Sequence, residues 1–313
     1  MTAFAIPGRV RAPGLLLMLA LMVGGFAVAT RDFTTPGNVL NILLQSSVLL
    51  LIALPMTFVI LTEGLDLSIG AVLSLCSVVL AQTALATGSL MAALSVALLV
   101  GGVAGVVNGG LVAYLRIPPF VATLGTLGMA QSLALIVTGG QSVTGLPDSL
   151  IFVYGGSILG VRVPILLMIA AYALMHTLLY RTRFGSYVFA LGGNREALTL
   201  AGVPWRRVLV TVYVLAGAWA GLAGLLMAGR LNSGHPTAGI GMEFDAIAAV
   251  ALGGTSFERG NGWLLGTLLG VLAIGVLRNG LNLLAVSSAL QVCCIGLLVI
   301  LAFTLEAFRT QTP

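Results

Sequence analysis

Two pairs of acidic residues interrupt otherwise apolar sequence and are the side chains best placed for chemistry. They are Glu63 with Asp66, and Glu243 with Asp245. A carboxylate in apolar surroundings is costly unless it meets a partner group or a cavity. Each pair precedes an apolar run, and the dipole at a helix N-terminus favours a carboxylate. Asp66 and Asp245 therefore either cap helices or act directly on a solute or a gate.

Polar residues also lie inside the apolar runs. The amides of Asn108, Asn279 and Asn282 either hydrogen-bond a polar solute or hold helices together, which is their commoner use. Arg278 is the most costly residue in such a run, so we expect it to reach the surface or to pair with a carboxylate.

No arrangement typical of an enzyme active site is present. His176 and His235 are the only histidines, and neither the zinc-protease motif nor the serine-hydrolase elbow occurs. The chain has no lysine, which excludes a phosphate-binding loop that depends on one. The three cysteines lie in apolar runs without the spacing of zinc ligands. We expect no catalytic residue, no metal and no cofactor.

The composition predicts a membrane protein. Hydrophobic residues make up 59% of 313 positions and charged residues 7%, whereas soluble domains carry about 25% charged residues. The net charge of +5 comes from scattered arginines, which argues against a nucleic-acid-binding surface. The predicted fold class is all-α, a single polytopic transmembrane domain over residues 1–313 with about ten spans.

Ten apolar segments approach the ~20 residues that a helix needs to cross a bilayer. They are 13–29, 39–61, 68–87, 91–114, 119–137, 163–180, 208–228, 244–256, 261–283 and 288–306. The eighth is short, and is either a full crossing or a half-helix packed against its neighbours. The first is expected to be an anchor, although Ala27-Val28-Ala29 resembles the cleavage site of a signal peptide.

Arginine placement predicts the orientation of these spans. With the N-terminus inside, most arginines fall on the cytoplasmic side, as the positive-inside rule requires. Both termini are then cytoplasmic, the loop 138–161 is external and the loop 181–207 is cytoplasmic. This topology places the first acidic pair inside and the second outside.

Small residues recur at four-residue spacing in three of the spans. The runs are Gly101/Gly105/Gly109, Gly217/Gly221 and Gly266/Gly270. Such spacing lets helix backbones approach closely, more often within one chain than between two.

Two sequence echoes indicate an internal repeat. The segment that begins at Glu63 resembles the one at Glu243, and 105–109 resembles 275–280. The echoed elements start on opposite faces of the predicted membrane, which corresponds to an inverted repeat. The spacing between the echoes differs in the two halves.

The cytoplasmic loop contains a short helix with start and stop signals. Asn194 is a good N-cap, and Glu196 lies in the first turn, where the helix dipole favours an anion. Gly202 suits the left-handed position after the helix, and Pro204 prevents its continuation.

This helix, 194–202, is too short to be stable alone in water. Ala197, Leu198 and Ala201 fall on one side of it and form a small apolar patch. The patch either rests on the protein's own cytoplasmic ends or docks on a separate cytoplasmic subunit.

Five blocks, in order, resemble the permease subunit of ribose/xylose-type monosaccharide ATP-binding-cassette importers, within the branched-chain amino-acid/sugar permease family. They are 62–70, 115–125, 190–197, 245–256 and 275–284. The chain departs from the family after Ser256, where Phe257-Glu258-Arg259-Gly260 replaces a glycine-rich stretch.

The resemblance implies a pair of permease chains, identical or closely related, in the lipid of a bacterial inner membrane. A cytoplasmic ATPase would bind inside and a periplasmic sugar-binding protein outside. The residues implied in coupling to the ATPase are Gly193, Asn194, Arg195, Glu196, Ala197, Leu198, Ala201 and Gly202. Those assigned to the translocation path or its gate are Asp66, Asn108, Phe120, Thr123, Asp245, Asn279 and Asn282.

The expected function is therefore import of a ribose-like monosaccharide, powered by a separate ATPase. One alternative is a self-contained transporter driven by an ion gradient, which needs an acidic residue at mid-membrane. Another is a permease of the same family for a nucleoside or a signal molecule. A scaffold or receptor is disfavoured because the spans leave no sizeable soluble domain.

Overall fold

The computed structural model describes residues 12–257 and 260–310, and these residues are almost entirely helical. The helices are α1 (Ala12–Ala29), α2 (Pro36–Leu61), α3 (Ile69–Thr87), α4 (Leu90–Ala113), α5 (Pro119–Thr138), α6 (Asp148–Gly155), α7 (Val163–Arg181), α8 (Arg183–Gly193), α9 (Arg195–Leu200), α10 (Trp205–Leu231), α11 (Met242–Leu252), α12 (Leu264–Leu283) and α13 (Ser288–Thr310). A 3-10 turn, Arg31–Thr34, joins α1 to α2, and an antiparallel hairpin of β1 (Ser157–Ile158) and β2 (Val161–Arg162) precedes α7. The predicted all-α class is confirmed.

Seven of the helices described are long and apolar enough to cross a membrane. They are α2, α3, α4, α5, α7, α10 and α12. Pro13–Ala29 and Ser288–Leu298 are shorter apolar helical stretches. The multi-span bundle is confirmed, whereas the count of ten is not. Residues 1–11 and 311–313 lie outside the described residues, so the location of the termini stays a prediction.

The two ends of the bundle are set by contacts between its helices. Gly192 of α8 packs directly on the carbonyl of Leu61, where α2 ends, and the Arg195 guanidinium lies over the Trp205 ring, where α10 begins. We call this the proximal end. The opposite end, which holds Leu231 at the end of α10, is the distal end.

The eighth predicted span is a half-helix. α11 has 11 residues, which corresponds to ~16 Å of helix, against a hydrocarbon core of ~30 Å. The chain reaches it through a non-helical segment, 232–241, that returns into the bundle after α10 ends at the distal end. Within this segment Gly234 pairs with Val143, and the Gly239 N–H donates to Ser74 Oγ at 2.8 Å.

A similar non-helical segment, 62–68, precedes α3 and enters from the proximal end. The carbonyl of Leu65, within it, accepts from Thr123 Oγ1 at 3.3 Å and from the Tyr213 hydroxyl at 3.4 Å. α3 itself begins alongside the second half of α10, because Gly224 of α10 packs on Leu73, in the second turn of α3. We call 62–68 and 232–241 the two re-entrant segments.

Backbone contact between glycines holds the long helices together. A Cβ on Gly101 of α4 would overlap the carbonyl oxygen of Gly217 of α10, and the reverse also holds. Gly266 and Gly270 of α12 meet the backbone of Gly253 and α11 in the same way. The prediction that the small-residue runs pack within one chain is confirmed.

The order long helix, re-entrant segment, short or medium helix, long helix occurs twice. It runs through α2, α3 and α4, and again, in the opposite direction, through α10, α11 and α12. α4 packs on α10, and α12 packs on α2, where Thr57 and Thr267 share a 2.7 Å hydrogen bond. This is the arrangement that an inverted repeat produces.

Candidate functional site

The two re-entrant segments bring α3 and α11 to neighbouring starting points inside the bundle. A Cβ on Gly70, in the first turn of α3, would overlap the Glu243 carboxylate and the Gly239 carbonyl oxygen. Asp66 and Glu243 therefore lie in converging segments, and the prediction that they lie on opposite membrane faces is wrong. The reason is that each re-entrant segment carries its acidic residue from its own end into the interior.

Asp66 begins a buried chain of hydrogen bonds. Its Oδ1 accepts from the backbone N–H of Ser68 at 2.9 Å and from the Ser68 hydroxyl at 2.6 Å. Ser68 Oγ accepts from Asn108 Nδ2 at 2.9 Å, and Asn108 Oδ1 accepts from the Thr126 hydroxyl at 2.5 Å. Asp66 thus fixes the turn that leads into α3 through its bonds to Ser68, and Asn108 links α3, α4 and α5.

Two other residues assigned to the path are both on α5. Thr123 is buried and joins the network through its bond to the Leu65 carbonyl, while also bonding Pro119 O at 2.9 Å. Phe120 is 52% exposed on the outside of the bundle. The structure therefore brings Thr123 together with Asp66 and Asn108, and leaves Phe120 apart.

The two residues of the second acidic pair, Glu243 and Asp245, have different hydrogen-bond partners. Glu243, in the first turn of α11, reaches back so that its Oε1 accepts from the backbone N–H of Gly241, the N-cap residue, at 3.2 Å. Its Oε2 is buried and has no hydrogen-bond partner among the described residues. Asp245 instead accepts from Arg278, with 2.6 Å between Oδ2 and Nη2. Asp245 lies in the first turn of α11, as expected, but makes no capping hydrogen bond among the described residues. Of the two outcomes expected for Arg278, pairing with a carboxylate is confirmed.

The two amides of α12 also have separate roles. Asn279 and Asn38 of α2 exchange two side-chain hydrogen bonds of 2.8 Å each, which fastens α12 to α2. Asn282 Oδ1 accepts from Gln291 Nε2 of α13 at 2.7 Å. Asn279 is therefore a structural link, whereas Asn282 borders a cavity.

This cavity, which we call the distal cavity, has a volume of about 310 Å³ and lies among α2, α10, α11, α12 and α13. Its polar lining residues are Gln45, Ser46, Arg230, Asp245, Arg278, Asn282, Ser288 and Gln291. Of the residues predicted for the path, only Asp245 and Asn282 line it.

Sequence reasoning missed the α2 side of this cavity. Gln45 and Ser46 lie in the apolar run 39–61, and with Ser47 they form three consecutive polar residues. That interruption is the signal that points to a polar surface within α2.

The predicted start and stop of the cytoplasmic-loop helix are confirmed in α9. Asn194 Oδ1 accepts from the backbone N–H of Ala197 at 2.9 Å. Gly202 follows the helix with a φ of 72°, in the left-handed region. Gly193 ends α8 and is exposed.

The predicted apolar patch on α9 is different in one residue. Leu198 is 6% exposed and packs into the protein's own core, so it anchors the helix. Ala197 and Ala201 are exposed beside Glu196. Leu200 is 90% exposed, and it takes the outward place that was predicted for Leu198. Glu258 and Arg259, where the chain departs from the family pattern, lie outside the described residues.

Comparisons with known proteins agree on one family. A model of the branched-chain amino acid transport system / permease component matches residues 38–303. The chain is 42% identical over 295 residues to the ribose import permease protein RbsC of Bacillus subtilis (strain 168), covering 94% of this chain and 92% of that protein.

Two further relatives carry other sugars in their names. The D-allose transport system permease protein AlsC of Escherichia coli (strain K12) is 36% identical, covering 94% of this chain and 90% of the relative. The L-arabinose ABC transporter permease protein AraH of Azospirillum brasilense is 33% identical, covering 95% and 87%. No solved structure matches the chain significantly. The chain belongs to the family of branched-chain amino acid transport system permease components, and is a membrane transport subunit.

Proposed function

We propose that this chain is the permease subunit of an ATP-driven importer for a neutral, ribose-like monosaccharide. The observation that carries the proposal is the 42% identity to a ribose import permease over 92% of that protein's length. Relatives named for allose and arabinose at 36% and 33% identity extend the same class of solute.

In this proposal the re-entrant segments, with α3 and α11 that follow them, are the parts that move. Non-helical backbone at membrane depth is tolerated only where protein or a water-filled cavity surrounds it, and 62–68 is enclosed by α5 and α10. Since α3 and α11 meet near Gly70, a shift of one re-entrant segment changes the contacts of the other. That coupling supports alternating access between the distal and proximal ends.

Energy would enter at the proximal end through α9. The helix is fixed to the permease by Leu198 and by the Arg195–Trp205 contact of 4.9 Å. Its outer side presents Glu196 and the 90%-exposed Leu200. An apolar side chain that is so exposed beside a charge suits the groove of a protein partner, which here is a cytoplasmic ATPase.

The remaining partners follow from the two ends and the sides of the bundle. A sugar-binding protein would bind over the distal loop 138–161. A second permease copy and lipid would cover the apolar residues that α4 and α5 expose, among them Val103, Phe120 and Met129. In this arrangement the complex lies in the bacterial inner membrane, with both termini in the cytoplasm.

One observation favours a transporter driven by an ion gradient as the second candidate. Asp66, Glu243 and Asp245 are all buried inside the bundle, which is where an ion-coupled mechanism needs carboxylates. However, Asp66 and Glu243 each accept from a backbone N–H and Asp245 pairs with Arg278, although Glu243 Oε2 has no hydrogen-bond partner among the residues described. We therefore rank this candidate below the ATP-driven importer.

Reconstitution distinguishes the two candidates. Proteoliposomes that contain the permease, its ATPase and its binding protein should accumulate D-ribose only when ATP is present. A transport-dead ATPase variant is the matched control. Accumulation by the permease alone under a proton or sodium gradient would replace the proposal with the ion-driven candidate. If none of D-ribose, D-allose and L-arabinose is taken up, a monosaccharide is rejected as the transported solute.

A further inference from the structure

We infer that the distal cavity is a binding subsite for a single neutral sugar within one permease chain. This inference rests on the proposed function and adds to it the location and the recognition groups. It stands on the volume of the cavity, on the polar side chains that line it, and on two buried polar atoms there that have no partner.

Two lining residues carry unused hydrogen-bonding capacity. Ser46 Oγ and Arg278 Nε are buried, and neither atom has a hydrogen-bond partner within the described part of the chain. A buried polar atom without a partner costs about 1–3 kcal/mol, so such atoms are uncommon in folded proteins. Both line the same cavity, one from α2 and one from α12. A bound solute that supplies one donor or acceptor to each would remove the cost.

The other lining groups suit a polyhydroxylated solute. Gln45 brings a side-chain amide, which both donates and accepts, as sugar hydroxyls do. The Asn282 and Gln291 amides bond each other through Asn282 Oδ1 and Gln291 Nε2, and Gln291 Nε2 also donates to Val286 O, so these two residues would contribute Asn282 Nδ2 as a donor and Gln291 Oε1 as an acceptor. Asp245 and Arg278 are joined in an ion pair of 2.6 Å, so the Arg278 charge is balanced, and the other lining arginine, Arg230, is exposed to solvent, which screens its charge. These groups recognise hydroxyls from several directions without requiring a charged solute.

The volume limits the size of the solute. About 310 Å³ is at the lower end of ligand pockets, which span roughly 300–1,000 Å³. One sugar ring with a few waters suits this space, whereas a disaccharide or a nucleotide is too large. The cavity lies in the distal half of the bundle, on the side from which a binding protein would deliver the solute.

Adjacent serines of α2 provide the test. Ser46→Ala removes the unpartnered hydroxyl, and Ser47→Ala removes a buried hydroxyl that already donates to Leu44 O at 2.7 Å and does not line the cavity. Binding of radiolabelled D-ribose would be measured on the full-length permease with its ATPase in lipid nanodiscs, without the binding protein. Thermal unfolding of each variant would be recorded in the absence of sugar.

We expect Ser46→Ala to weaken D-ribose binding about three- to tenfold, the worth of one hydrogen bond. Without sugar, the same variant should unfold at an equal or higher temperature, because the lost hydroxyl had no partner. Ser47→Ala should bind D-ribose as the wild type does. Arg278→Lys, which keeps the positive charge and removes Nε, should also weaken binding.

The inference is overturned if the wild type does not bind D-ribose, if both serine variants bind it equally well, or if D-ribose 5-phosphate binds more tightly than D-ribose. ATP-driven uptake by the complete complex separates this failure from that of the proposed function. If the wild type takes up D-ribose and Ser46→Ala does so with the same apparent affinity for D-ribose, the subsite alone is rejected. Loss of all sugar uptake in the wild type rejects the proposed function.

Discussion

At the scale of single residues, the polar groups of this bundle are mostly occupied in holding helices. Asp66 and Glu243 accept from the backbone N–H groups of Ser68 and Gly241, the residues just before α3 and α11. Asn108 and Asn279 each bridge elements of the bundle. The bundle can therefore place non-helical segments before α3 and α11 in an apolar environment, since backbone groups there find partners inside the protein.

The Asp245–Arg278 pair gives a test of this balance. Arg278→Gln should lower the unfolding free energy by about 2 kcal/mol, because it leaves the Asp245 carboxylate without its partner. This is less than the 3–5 kcal/mol of a fully buried pair, since the Arg278 side chain is 35% exposed and that of Asp245 11%. Thermal unfolding in nanodiscs measures the change.

The double variant Asp245→Asn/Arg278→Gln should recover most of that loss, because neither charge is then unpaired. Arg230→Gln is the matched control, since Arg230 lines the same cavity and forms no ion pair among the residues described. If Arg278→Gln and Arg230→Gln destabilise equally, the ion pair does not contribute to stability.

Residue chemistry was predictable from the sequence, but the choice of partners was not. An arginine in an apolar span either reaches the surface or pairs with a carboxylate. Glu243 and Asp245 were equally available as partners, and the structure selects Asp245, 33 residues away. The Ser46 hydroxyl shows the same limit. Its polarity is visible in the sequence, whereas the cavity beside it exists only after α2, α10 and α12 have packed.

At the scale of elements, the contact of α4 with α10 depends on glycine backbones that touch. Gly101→Ala should lower the unfolding free energy by about 1–3 kcal/mol, because its Cβ would overlap the Gly217 carbonyl oxygen, which belongs to a rigid helix. Gly102→Ala, one residue further on, meets nothing within 4 Å and should stabilise α4 by up to about 1 kcal/mol. Chemical unfolding of both variants would measure these free energies. Equal effects of the two substitutions would contradict the role of the Gly101–Gly217 contact.

The α9 helix gives a second prediction at this scale. Glu196→Lys should reduce co-purification of the ATPase at least severalfold, because it reverses a charge on the exposed side of α9, while insertion into the membrane stays normal. Asp148→Lys is the matched control. It makes the same change in an exposed residue of a first helical turn, but in α6, at the distal end.

A pull-down through a tag on the permease, followed by quantification of the ATPase, would measure this effect. Equal recovery from Glu196→Lys and from the wild type would contradict the docking role of α9. Loss from both lysine variants would assign the effect to general misassembly.

At the scale of the whole molecule, the inverted repeat explains where sequence-based topology succeeded and where it failed. Hydrophobic length predicted the long helices, since α2, α4 and α10 are long apolar helices in continuous apolar runs. It could not place Asp66 and Glu243 in the interior, because a re-entrant segment has the composition of a loop at the surface. The sequence similarity between the segments at Glu63 and Glu243 indicated that the two are equivalent. Only the contact between Gly70 and Glu243 shows that they meet inside the bundle.

Arginine placement predicts the orientation of the whole bundle in the membrane, and this gives the last prediction. Thr199, on α9 at the proximal end, and Ser142, after α5 at the distal end, are both exposed. Of the native cysteines, Cys76 is buried, whereas Cys293 is exposed and Cys294 partly so, so the latter two are first replaced by alanine. A membrane-impermeant maleimide on intact spheroplasts should then label Ser142→Cys, and should label Thr199→Cys only after permeabilisation, because the positive-inside rule keeps the arginine-rich 181–207 loop in the cytoplasm. The reverse pattern would invert the bundle, and with it the faces on which the ATPase and the binding protein could dock.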